Sequence, residues 1–394
     1  KWVEVHDPYA LSSDANSGHS YVIDRKKISR PIHRAASQVK PTEAVIYEMS
    51  VRDFSMQKEA GFSQPGKFAS LSESPTVHGQ TFGLKYLQDL GITHVQLMPV
   101  YDFGSVDEKH PELVYNWGYD PVQYNVPEGS FSSDPHDPYS RIFELQDAIA
   151  AYHKANMSVI MDVVYNHVYE ADAYAFEKIV PGYFYRLDEQ GLRTNGTFCG
   201  NDVASEKAMV RHYIQQSVQQ WVSLYGFDGF RFDLMGILDI TTMKQIAQEL
   251  KAIYPNIYLY GEGWQMPTGL DSDLLAHQFN AEQLAEYGFF SDHFRDTIKQ
   301  TIAQGSRLDK EHATSWLENV LTANVGLTGE PHFLAPHQAI NYVECHDNAT
   351  VFDYFDIQNP NISLRQRLAN SRLALHIVLL AQGVPFLHSG QEFY

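Results

Sequence analysis

The sequence predicts an α/β fold, a (β/α)8 TIM barrel with a loop excursion after its third strand. Short β-branched runs alternate with longer amphipathic segments along the chain, and eight strands are separated by helices. Hydrophobic residues make up 44% of 394 residues, which is enough for a large packed core. This alternation is typical of a parallel sheet covered by helices, and eight repeats favour a closed barrel over an open sheet.

The first half of the chain supplies three strands and two helices. Phe82, Tyr86 and Leu90 recur at the spacing of one helix face, and Gly91 then gives a helix stop. The predicted elements are the strand Ala44–Glu48, the helix Phe82–Leu90, the strand Thr93–Val100, the helix Ser140–Ala155 and the strand Ser158–Val164. A long loop precedes the second helix.

The second half begins with an excursion rich in Gly, Asp and Asn, at about 166–204. Val210, Ile214 and Val218 then share one face of a predicted helix. The elements from there are the helix Glu206–Leu224, the strand Gly229–Leu234, the helix Thr241–Ile253, the strand Ile257–Gly261, a weaker strand Gly288–Ser291, the helix His293–Ala303, an irregular insertion, the strand Ala339–Glu344, the helix Leu364–Leu380 and the strand Val384–His388.

Both ends of the chain look cut. The sequence opens at Lys1 without an initiator Met or a signal-peptide pattern, and it stops at Tyr394 just after an apolar strand-like run. We expect residues 1–40 to be a lead-in from a preceding module, and residues 41–394 to be the barrel, truncated after its eighth strand. A barrel without its last helix should expose apolar surface where that helix would pack.

The charge balance restricts the partners. There are 29 Lys and Arg against 48 Asp and Glu, a formal charge of −19, which argues against nucleic acid and anionic lipid surfaces. A neutral ligand fits better. No apolar run approaches the roughly 18 residues of a membrane span, so we expect no membrane insertion. Two cysteines, Cys199 and Cys345, exclude a disulfide-built scaffold but leave the compartment open.

The aromatic content indicates the kind of ligand. Aromatic residues make up 13% of the chain, with 24 Tyr and 22 Phe, and many lie in loops beside Gly, Asp and Asn. Exposed rings in polar loops suggest a site for something flat and hydroxylated, such as a sugar. Extra core packing is the alternative.

Polar residues end four of the predicted strands. These ends are Asp162–His167, Gly229–Leu234, Tyr260–Trp264 and Val343–Asn348. In such a barrel they share one rim, where catalytic groups lie. A single carboxylate at a strand end usually caps a helix or forms a salt bridge. Several negative charges close together raise one another's energy unless they bind something, so the four ends together favour a functional site.

Two carboxylates at this rim suggest glycoside hydrolysis. Arg231 and Asp233 face the same side of a strand, and the guanidinium should keep Asp233 ionised, as a nucleophile requires. Glu262 stands between two glycines and beside Trp264, where desolvation should raise its pKa and suit a general acid. A separation of about 5–5.5 Å would make the outcome retaining. Phosphoryl transfer and zinc chemistry are less attractive, since no GxxxxGK[ST] loop and no HExxH occur.

The four strand ends resemble, in order and position, the four sequence regions of the α-amylase superfamily, glycoside hydrolase family 13. Tyr115–Pro121 resembles the signature of type I pullulanases, which cleave α-1,6 linkages; His78–Gly83 and Phe198–Ser205 support it. The resemblance runs from about Asp7 to Tyr394. Family members usually carry β domains on both sides of the barrel, so the resemblance implies that flanking β domains are missing from this chain.

The resemblance also implies roles for individual residues. Asp233 would be the nucleophile, Glu262 the acid/base and Asp347 the stabiliser of the transition state. The substrate-binding residues implied are Tyr119, which would stack on the sugar at the cleavage point, His167 and His346, which would bind its hydroxyls, Arg231, Leu234, Trp264 as a platform on the leaving-group side, Asp162, Asn166 and Trp117. For Asp162 and Asn166 a role in holding the rim together is the favoured alternative, and for Trp117 core packing is an equal one.

The implied function is a debranching hydrolase that acts on α-1,6 bonds of pullulan or branched α-glucans such as starch and glycogen. An isoamylase-type debranching enzyme, an amylopullulanase and a catalytically inactive carbohydrate-binding barrel are the alternatives. No cofactor is expected for the chemistry. A structural calcium ion stays open, with Asp172, Asp188 and Asp202 in the excursion but no recognisable ligand run. We expect a monomer; localisation is open, with a secreted or cell-surface protein slightly favoured.

Overall fold

The barrel predicted from the sequence is confirmed. The computed structural model describes residues 2–36, 39–305, 310–325 and 331–394. Eight strands pair in parallel in chain order, and the first pairs with the last to close the ring. The strands are β1 Ile46–Met49, β2 His94–Leu97, β3 Ser158–Val163, β4 Gly229–Phe232, β5 Tyr258–Gly261, β6 Tyr287–Phe290, β7 Ala339–Asn341 and β8 Val384–His388.

Helices follow the strands and cover the barrel. The longer ones are α1 Gly83–Leu90, α2 Ser140–Lys154, α3 Ala208–Gln220, α4 Ile240–Ile253, α5 Asp292–Gln304, α6 Lys310–Leu321, α7 Val351–Gln358 and α8 Leu364–Leu380. The predicted helices agree with α1 to α5 and α8 to within a few residues at each end. None of the helices in the described ranges is both long and apolar enough to cross a membrane.

The register of the strands sets where polar residues meet. Asp162 of β3 pairs with Arg231 of β4, and Arg231 pairs with Tyr260 of β5. Glu48 of β1 lies level with Gln96 of β2 in the same way. Apolar and aromatic side chains fill the interior of the barrel: Ala44, Ile46, Ile160, Tyr258, Tyr260, Phe290, Ile340, Tyr342, Val384 and Phe386. Because the barrel is packed, its chemistry is confined to the carboxyl rim.

Three features differ from the sequence prediction. The stretch predicted as an irregular insertion contains α6, and α7 was not predicted. The long loop before α2 contains a hairpin of Tyr101–Phe103 and Pro121–Pro127. Finally, α3 ends in a π turn, Trp221–Tyr225, which stops at Gly226 with φ of 87°. A Cβ at Gly226 would lie 2.8 Å from the Ile32 side chain, so the close packing there requires glycine.

Exposed leucines lie on the outer face of α8. Leu373 is 49% exposed and Leu380 is 84% exposed. Cys199 and Cys345 are both free thiols, in line with the absence of a disulfide scaffold.

Candidate active site

One buried arginine brings three of the predicted residues together at the carboxyl rim. The Nη1 atom of Arg231 lies 3.0 Å from Asp162 Oδ1 and 2.9 Å from Asp233 Oδ1, and its Nη2 lies 2.7 Å from Glu262 Oε1. The Arg231 side chain is only 2% exposed. A guanidinium is planar and always charged, so it fixes the positions of the carboxylates it bonds. The strands β3, β4 and β5 therefore meet at a single charged group.

Asp233 follows β4 and is held from two sides. Its Oδ1 accepts from Arg231, while its Oδ2 accepts from Asn166 Nδ2 at 2.8 Å. The same amide donates to the Asp233 backbone carbonyl at 2.7 Å. Asn166 thus orients the predicted nucleophile from the side, which agrees with a role in holding the rim together.

Glu262 follows β5 and is 6% exposed. Burial raises the pKa of Glu262; the Arg231 guanidinium opposes this shift, and the Asp233 charge adds to it. The net direction is the one predicted for a general acid. The backbone N–H of Leu234 donates to Glu262 Oε2 at 3.0 Å. Leu234 has φ of 40°, a strained left-handed conformation, and it contacts Glu262 through its backbone N–H.

Asp162 lies beneath the rim and is fully buried. Burial raises its pKa to about 7, although Arg231 pulls the value down. The Tyr119 hydroxyl donates to Asp162 Oδ2 at 2.8 Å. Asp162 therefore binds Arg231 and Tyr119 from below. These bonds favour a role in holding the rim together over direct contact with a substrate.

An aromatic wall stands on one side of the site. The Tyr119 ring stacks on the His346 ring, with centroids 4.9 Å apart and planes 19° apart, and Trp117 meets His346 edge-on at 5.3 Å. Trp117 is 40% exposed, so it does not pack in the core. Gly118, with φ of 94°, separates the two rings, and a Cβ there would lie 2.9 Å from the Phe103 ring.

His346 is paired with a carboxylate that the sequence analysis missed. Glu48 Oε1 lies 2.8 Å from His346 Nδ1, and Glu48 Oε2 accepts from the His346 backbone N–H, also at 2.8 Å. Burial alone would lower the pKa of His346, but Glu48 raises it to about 9. Burial likewise works against the charge on Glu48, yet His346 brings its pKa down to about 2. A glutamate inside the apolar strand β1 was the available signal.

Asp347 faces the open cleft. Its side chain is 46% exposed, and its Oδ1 lies 3.7 Å from His346 Nε2. The cleft is lined by Glu48, Arg231, Glu262, Trp264, Phe290, Asp292, Arg295, Tyr342, Cys345, His346, Asp347 and Asn348. Four of these side chains were not predicted: Phe290 at the end of β6, Tyr342 just after β7, and Asp292 and Arg295 on α5. The sixth predicted strand, Gly288–Ser291, is followed by Asp292, so it has a polar end like the four strands interpreted in the sequence analysis. This pattern could have identified Asp292 as a residue of the site.

His167 is turned toward the protein. Its Nε2 donates to the Tyr119 carbonyl at 2.8 Å, and its Nδ1 lies 2.6 Å from Asn166 Oδ1. Burial lowers the pKa of His167. Both ring nitrogens are occupied, so contact with a sugar hydroxyl requires exchange of one of these bonds. Sugar binding by His167 stays a prediction, and the structure adds a role in holding the Tyr119 backbone.

The three aspartates of the excursion do not come together as metal ligands in the part of the chain that the structure describes. Asp202 accepts from the backbone N–H groups of Gly196 and Thr197 at 2.8 and 2.9 Å. Asp172 pairs with Arg193, and Asp188 accepts from backbone N–H groups of its own turn. These carboxylates fold the excursion locally.

A different group has the donors for a cation. The carboxylates of Asp102, Glu108 and Glu128 offer oxygens that all lie within 4.8 Å of one another. Arg141 donates to Glu108 Oε2 at 2.9 Å and is the cation that faces the cluster. Within the described ranges this is the group of acidic, His or Cys side chains close enough to share a metal ion.

Comparison with known proteins agrees with this geometry. A family model described as the α-amylase catalytic domain matches residues 62–186. The curated pullulanase of Bacillus subtilis is 42% identical over 403 residues, which cover 100% of this chain and 56% of that protein. The chain therefore spans a little over half the length of this relative.

Solved structures match along the whole chain. The pullulanase of Paenibacillus barengoltzii in complex with maltohexaose and α-cyclodextrin has a TM-score of 0.95 and 42% identity, covering 100% of this chain and 63% of that one. The type I pullulanase of Bacillus subtilis complexed with maltose has a TM-score of 0.93 and 41% identity, covering 100% and 56%. Over its whole length the chain is thus similar to type I pullulanases, and residues 62–186 match the catalytic domain of the α-amylase family.

Proposed function

We propose that this chain is the catalytic barrel of a debranching enzyme that hydrolyses α-1,6-glucosidic bonds of pullulan and branched α-glucans with retention of configuration. The observation that carries the proposal is the pair Asp233 and Glu262, bonded to the two terminal nitrogens of one guanidinium at the barrel rim. Retaining glycosidases need their two carboxyl groups only about 5–5.5 Å apart, and a shared guanidinium supports so short a spacing.

In the first step, Asp233 attacks the anomeric carbon while Glu262 gives its proton to the glycosidic oxygen. The bond to the leaving glucan breaks, and a glycosyl ester forms on Asp233. The raised pKa of Glu262 supports its proton-donor role, because burial keeps the proton on the carboxyl until the oxygen takes it.

In the second step, Glu262 takes a proton from water, which attacks the anomeric carbon and releases Asp233. The site assists this change of role. The Asp233 charge contributes to the raised pKa of Glu262, and that charge disappears when the ester forms. The pKa of Glu262 then falls toward the value a base requires.

The groups around the pair have supporting roles. Asp347 projects into the cleft, where its charge would stabilise an oxocarbenium-like transition state. Tyr119 and Trp117 offer ring faces or edges to the sugar. Trp264 lines the same cleft beside Glu262 and is proposed as the platform on the leaving-group side.

Three other functions remain to be separated by experiment: an isoamylase-type enzyme, an amylopullulanase and an inactive barrel. The inactive barrel is disfavoured because Asp233, Glu262 and Asp347 are all present and face one rim. The Tyr115–Pro121 segment supports the pullulanase, since it supplies the aromatic wall.

The test is incubation with pullulan and, in parallel, with amylose, followed by chromatography of the released sugars. Maltotriose from pullulan with amylose untouched is the expected result. Cleavage of both substrates would instead indicate an amylopullulanase. Activity on glycogen branches with pullulan untouched would indicate the isoamylase type. No product from any substrate, with a chain folded by circular dichroism, would contradict the proposal.

A structural calcium ion is a separate proposal, and the cluster Asp102, Glu108 and Glu128 supports it. Its donors are the hard oxygens that calcium prefers, and Arg141 offsets only part of its charge. Gln123 donates to Asp102 at 2.8 Å while its buried Oε1 has no partner. A fall in melting temperature on chelation, absent in Asp102→Asn, is the expected result; no change on chelation would contradict the proposal.

We also propose that the chain is a monomer. Light scattering tests this: the mass of a single chain is expected, and the mass of two or more chains would contradict it.

A further inference from the structure

We propose that Glu48 is a positioning residue of the active site, one that keeps His346 charged and oriented as a hydrogen-bond donor to the substrate. The inference rests on the proposed function for the identity of the substrate. Its structural part concerns this chain's own residues: a carboxylate on β1 controls a histidine that reaches the rim from the end of β7.

The geometry is a two-point clamp. One Glu48 oxygen accepts from the His346 ring at Nδ1, and the other accepts from the His346 backbone N–H, both at 2.8 Å. Both ring rotation and the path of the backbone after β7 are therefore fixed by one carboxylate. The Gln96 amide donates to Glu48 Oε1 at 3.1 Å and orients the clamp from β2.

The clamp determines which His346 nitrogen faces the substrate. Because Nδ1 is taken by Glu48, Nε2 is the ring nitrogen left toward the cleft, 3.7 Å from Asp347 Oδ1. A charged imidazolium always carries a hydrogen on Nε2, whereas a neutral ring bonded to Glu48 through Nδ1–H presents a bare acceptor there. His346 can therefore donate a hydrogen bond from Nε2, to a sugar hydroxyl or to the Asp347 carboxylate, only when its ring is charged.

The stacked Tyr119 ring favours the same charge state of His346. Tyr119 stacks on the imidazole face at 4.9 Å, and Trp117 approaches it edge-on. A cation beside aromatic faces gains energy that a neutral ring does not. Glu48 thus also supports the aromatic wall through its bonds to His346.

Other groups face His346, and their balance matters. Burial opposes the charge, Glu48 favours it most, and Asp347 favours it less. Arg231 opposes it from β4, and Asp162 interacts with it from β3. The remaining titratable groups near it are the Tyr119 hydroxyl at 3.4 Å from Nδ1, Cys345 as its chain neighbour, and His388 on β8. Removing the Glu48 charge leaves burial and Arg231 unopposed except by Asp347 and Asp162.

The test compares Glu48→Gln with Glu48→Asp and with the matched control Glu392→Gln. Glu392 accepts from the Tyr47 and Tyr86 hydroxyls, so it is a carboxylate bonded on the opposite face of the same strand. Glu48→Gln keeps the size and removes the charge, while Glu48→Asp keeps the charge and shortens the reach. Thermal unfolding shows which variants are folded.

The first readout is direct and needs no activity. Histidine labelled with ¹³C at Cε1 is titrated by NMR, and the His346 signal is assigned by its loss in His346→Gln. We expect a pKa of about 9 in the unaltered chain. It should fall by two units or more in Glu48→Gln, be partly restored in Glu48→Asp and stay unchanged in Glu392→Gln. An unchanged His346 titration in Glu48→Gln would overturn the proposal.

The second readout is the pH profile of pullulan hydrolysis between pH 5 and 9. We expect kcat/KM of Glu48→Gln to fall at least tenfold from pH 6 to pH 8. Over the same range, loss of the His346 charge should not lower kcat/KM of the unaltered chain. A loss of equal size at every pH would mean that Glu48 only supports the fold, and would also overturn the proposal. If the unaltered chain leaves pullulan intact, the proposed function fails, while the NMR titration still decides the control of His346 by Glu48.

Discussion

Two buried arginines, Arg231 and Arg141, each stand among carboxyl groups, and the difference between their surroundings separates a candidate active site from a structural node. Arg231 bonds three carboxylates, one from each of three adjacent strands. Arg141 is fully buried on α2; it bonds the single carboxylate of Glu108 and donates to the backbone carbonyls of Pro127 and Pro135. Arg231 thus binds a group of carboxylates, whereas Arg141 also donates hydrogen bonds to main-chain carbonyls.

The carboxylates differ in the same sense. Around Arg141, Glu128 accepts from backbone N–H groups at 2.8 and 3.1 Å, and Asp102 accepts from Ser17 and Gln123. Those donors are all protein groups, and the oxygens are sealed from water. At the rim, Asp347 has 46% of its side chain exposed, and Glu262 lines the cleft. Carboxylates that keep an open side can bind a glucan, whereas the buried cluster is proposed to hold only an ion, so openness rather than charge density marks the candidate active site.

The largest expected effect is in the open cluster. Asp233→Asn should lower kcat on pullulan on the order of 10⁴-fold, because an amide cannot form the glycosyl ester. The melting temperature should change little, since the amide oxygen of the new side chain can still accept from Arg231 or Asn166. Steady-state kinetics and thermal unfolding measure the two quantities. Near-full activity would remove Asp233 from its role.

The next effect belongs to the sealed cluster and is on stability. At pH 8, where Glu108 is ionised, Arg141→Met should lower the free energy of unfolding by about 3–5 kcal/mol, because it leaves the buried Glu108 carboxylate without its cation. The kcat of the folded fraction should stay within about twofold. Urea unfolding and kinetics at low temperature measure both.

The control for this change is the double variant Arg141→Met with Glu108→Gln. Removing both charges should recover part of the lost stability, because no unpaired charge is then left buried. If Arg141→Met instead lost activity while keeping its stability, the division into a catalytic and a structural cluster would be wrong.

A third, smaller effect is the pH dependence of stability. Burial raises the pKa of Glu108 to about 7, from 4.5 in the unfolded chain. The folded chain therefore keeps a proton that the unfolded chain releases, and this contribution is full below pH 4.5 and lost as the pH rises toward 7. Glu108→Gln should flatten the fall in unfolding free energy between pH 5 and 6.5 by roughly 1 kcal/mol per pH unit, measured by urea unfolding.

The rim supplies the control for that measurement. Glu48 has its pKa lowered to about 2, so its contribution is present above pH 4.5 and lost only as the pH falls toward 2. His346 has its pKa raised to about 9, so its contribution is present below pH 6.5 and lost only toward pH 9. Glu48 is therefore ionised in both the folded and the unfolded chain between pH 5 and 6.5 and adds no slope of its own in this window. An unchanged slope in Glu108→Gln would contradict the assignment to Glu108.

The two clusters also show what a sequence reveals. The open cluster was predictable because strand ends of a parallel barrel share one rim, and because Arg231 and Asp233 are two residues apart on one strand. The sealed cluster was not, since Asp102, Glu108 and Glu128 lie in or next to the hairpin of Tyr101–Phe103 and Pro121–Pro127, a stretch that the sequence predicts to be a long loop. Glu48 was missed because its partner His346 is 298 residues away in the chain, and its position inside an apolar strand indicates a buried charge without indicating which residue it binds.

The missed helix α7 has a different cause. Its sequence is rich in aromatic and β-branched residues, which have modest helix propensity, so no helical pattern is evident from the chain. The structure stabilises it by other means. The Thr350 side chain caps its first turn by accepting from the Asp353 N–H, and Val351 and Phe355 are buried beneath it. Tertiary packing thus stabilises α7, although the helix propensity of its residues does not predict a helix there.

The smallest expected effect concerns the aromatic wall, where the two rings of the open site differ from each other. Tyr119 stacks on His346 and bonds Asp162, whereas Trp117 touches His346 only edge-on and bonds the Tyr115 hydroxyl. Tyr119→Ala should raise KM for pullulan about fivefold, the equivalent of about 1 kcal/mol for a stacked ring. Trp117→Ala should raise it about twofold. Steady-state kinetics distinguish the two; a larger effect at Trp117 would make the exposed ring, rather than the buried stack, the main contact with the sugar.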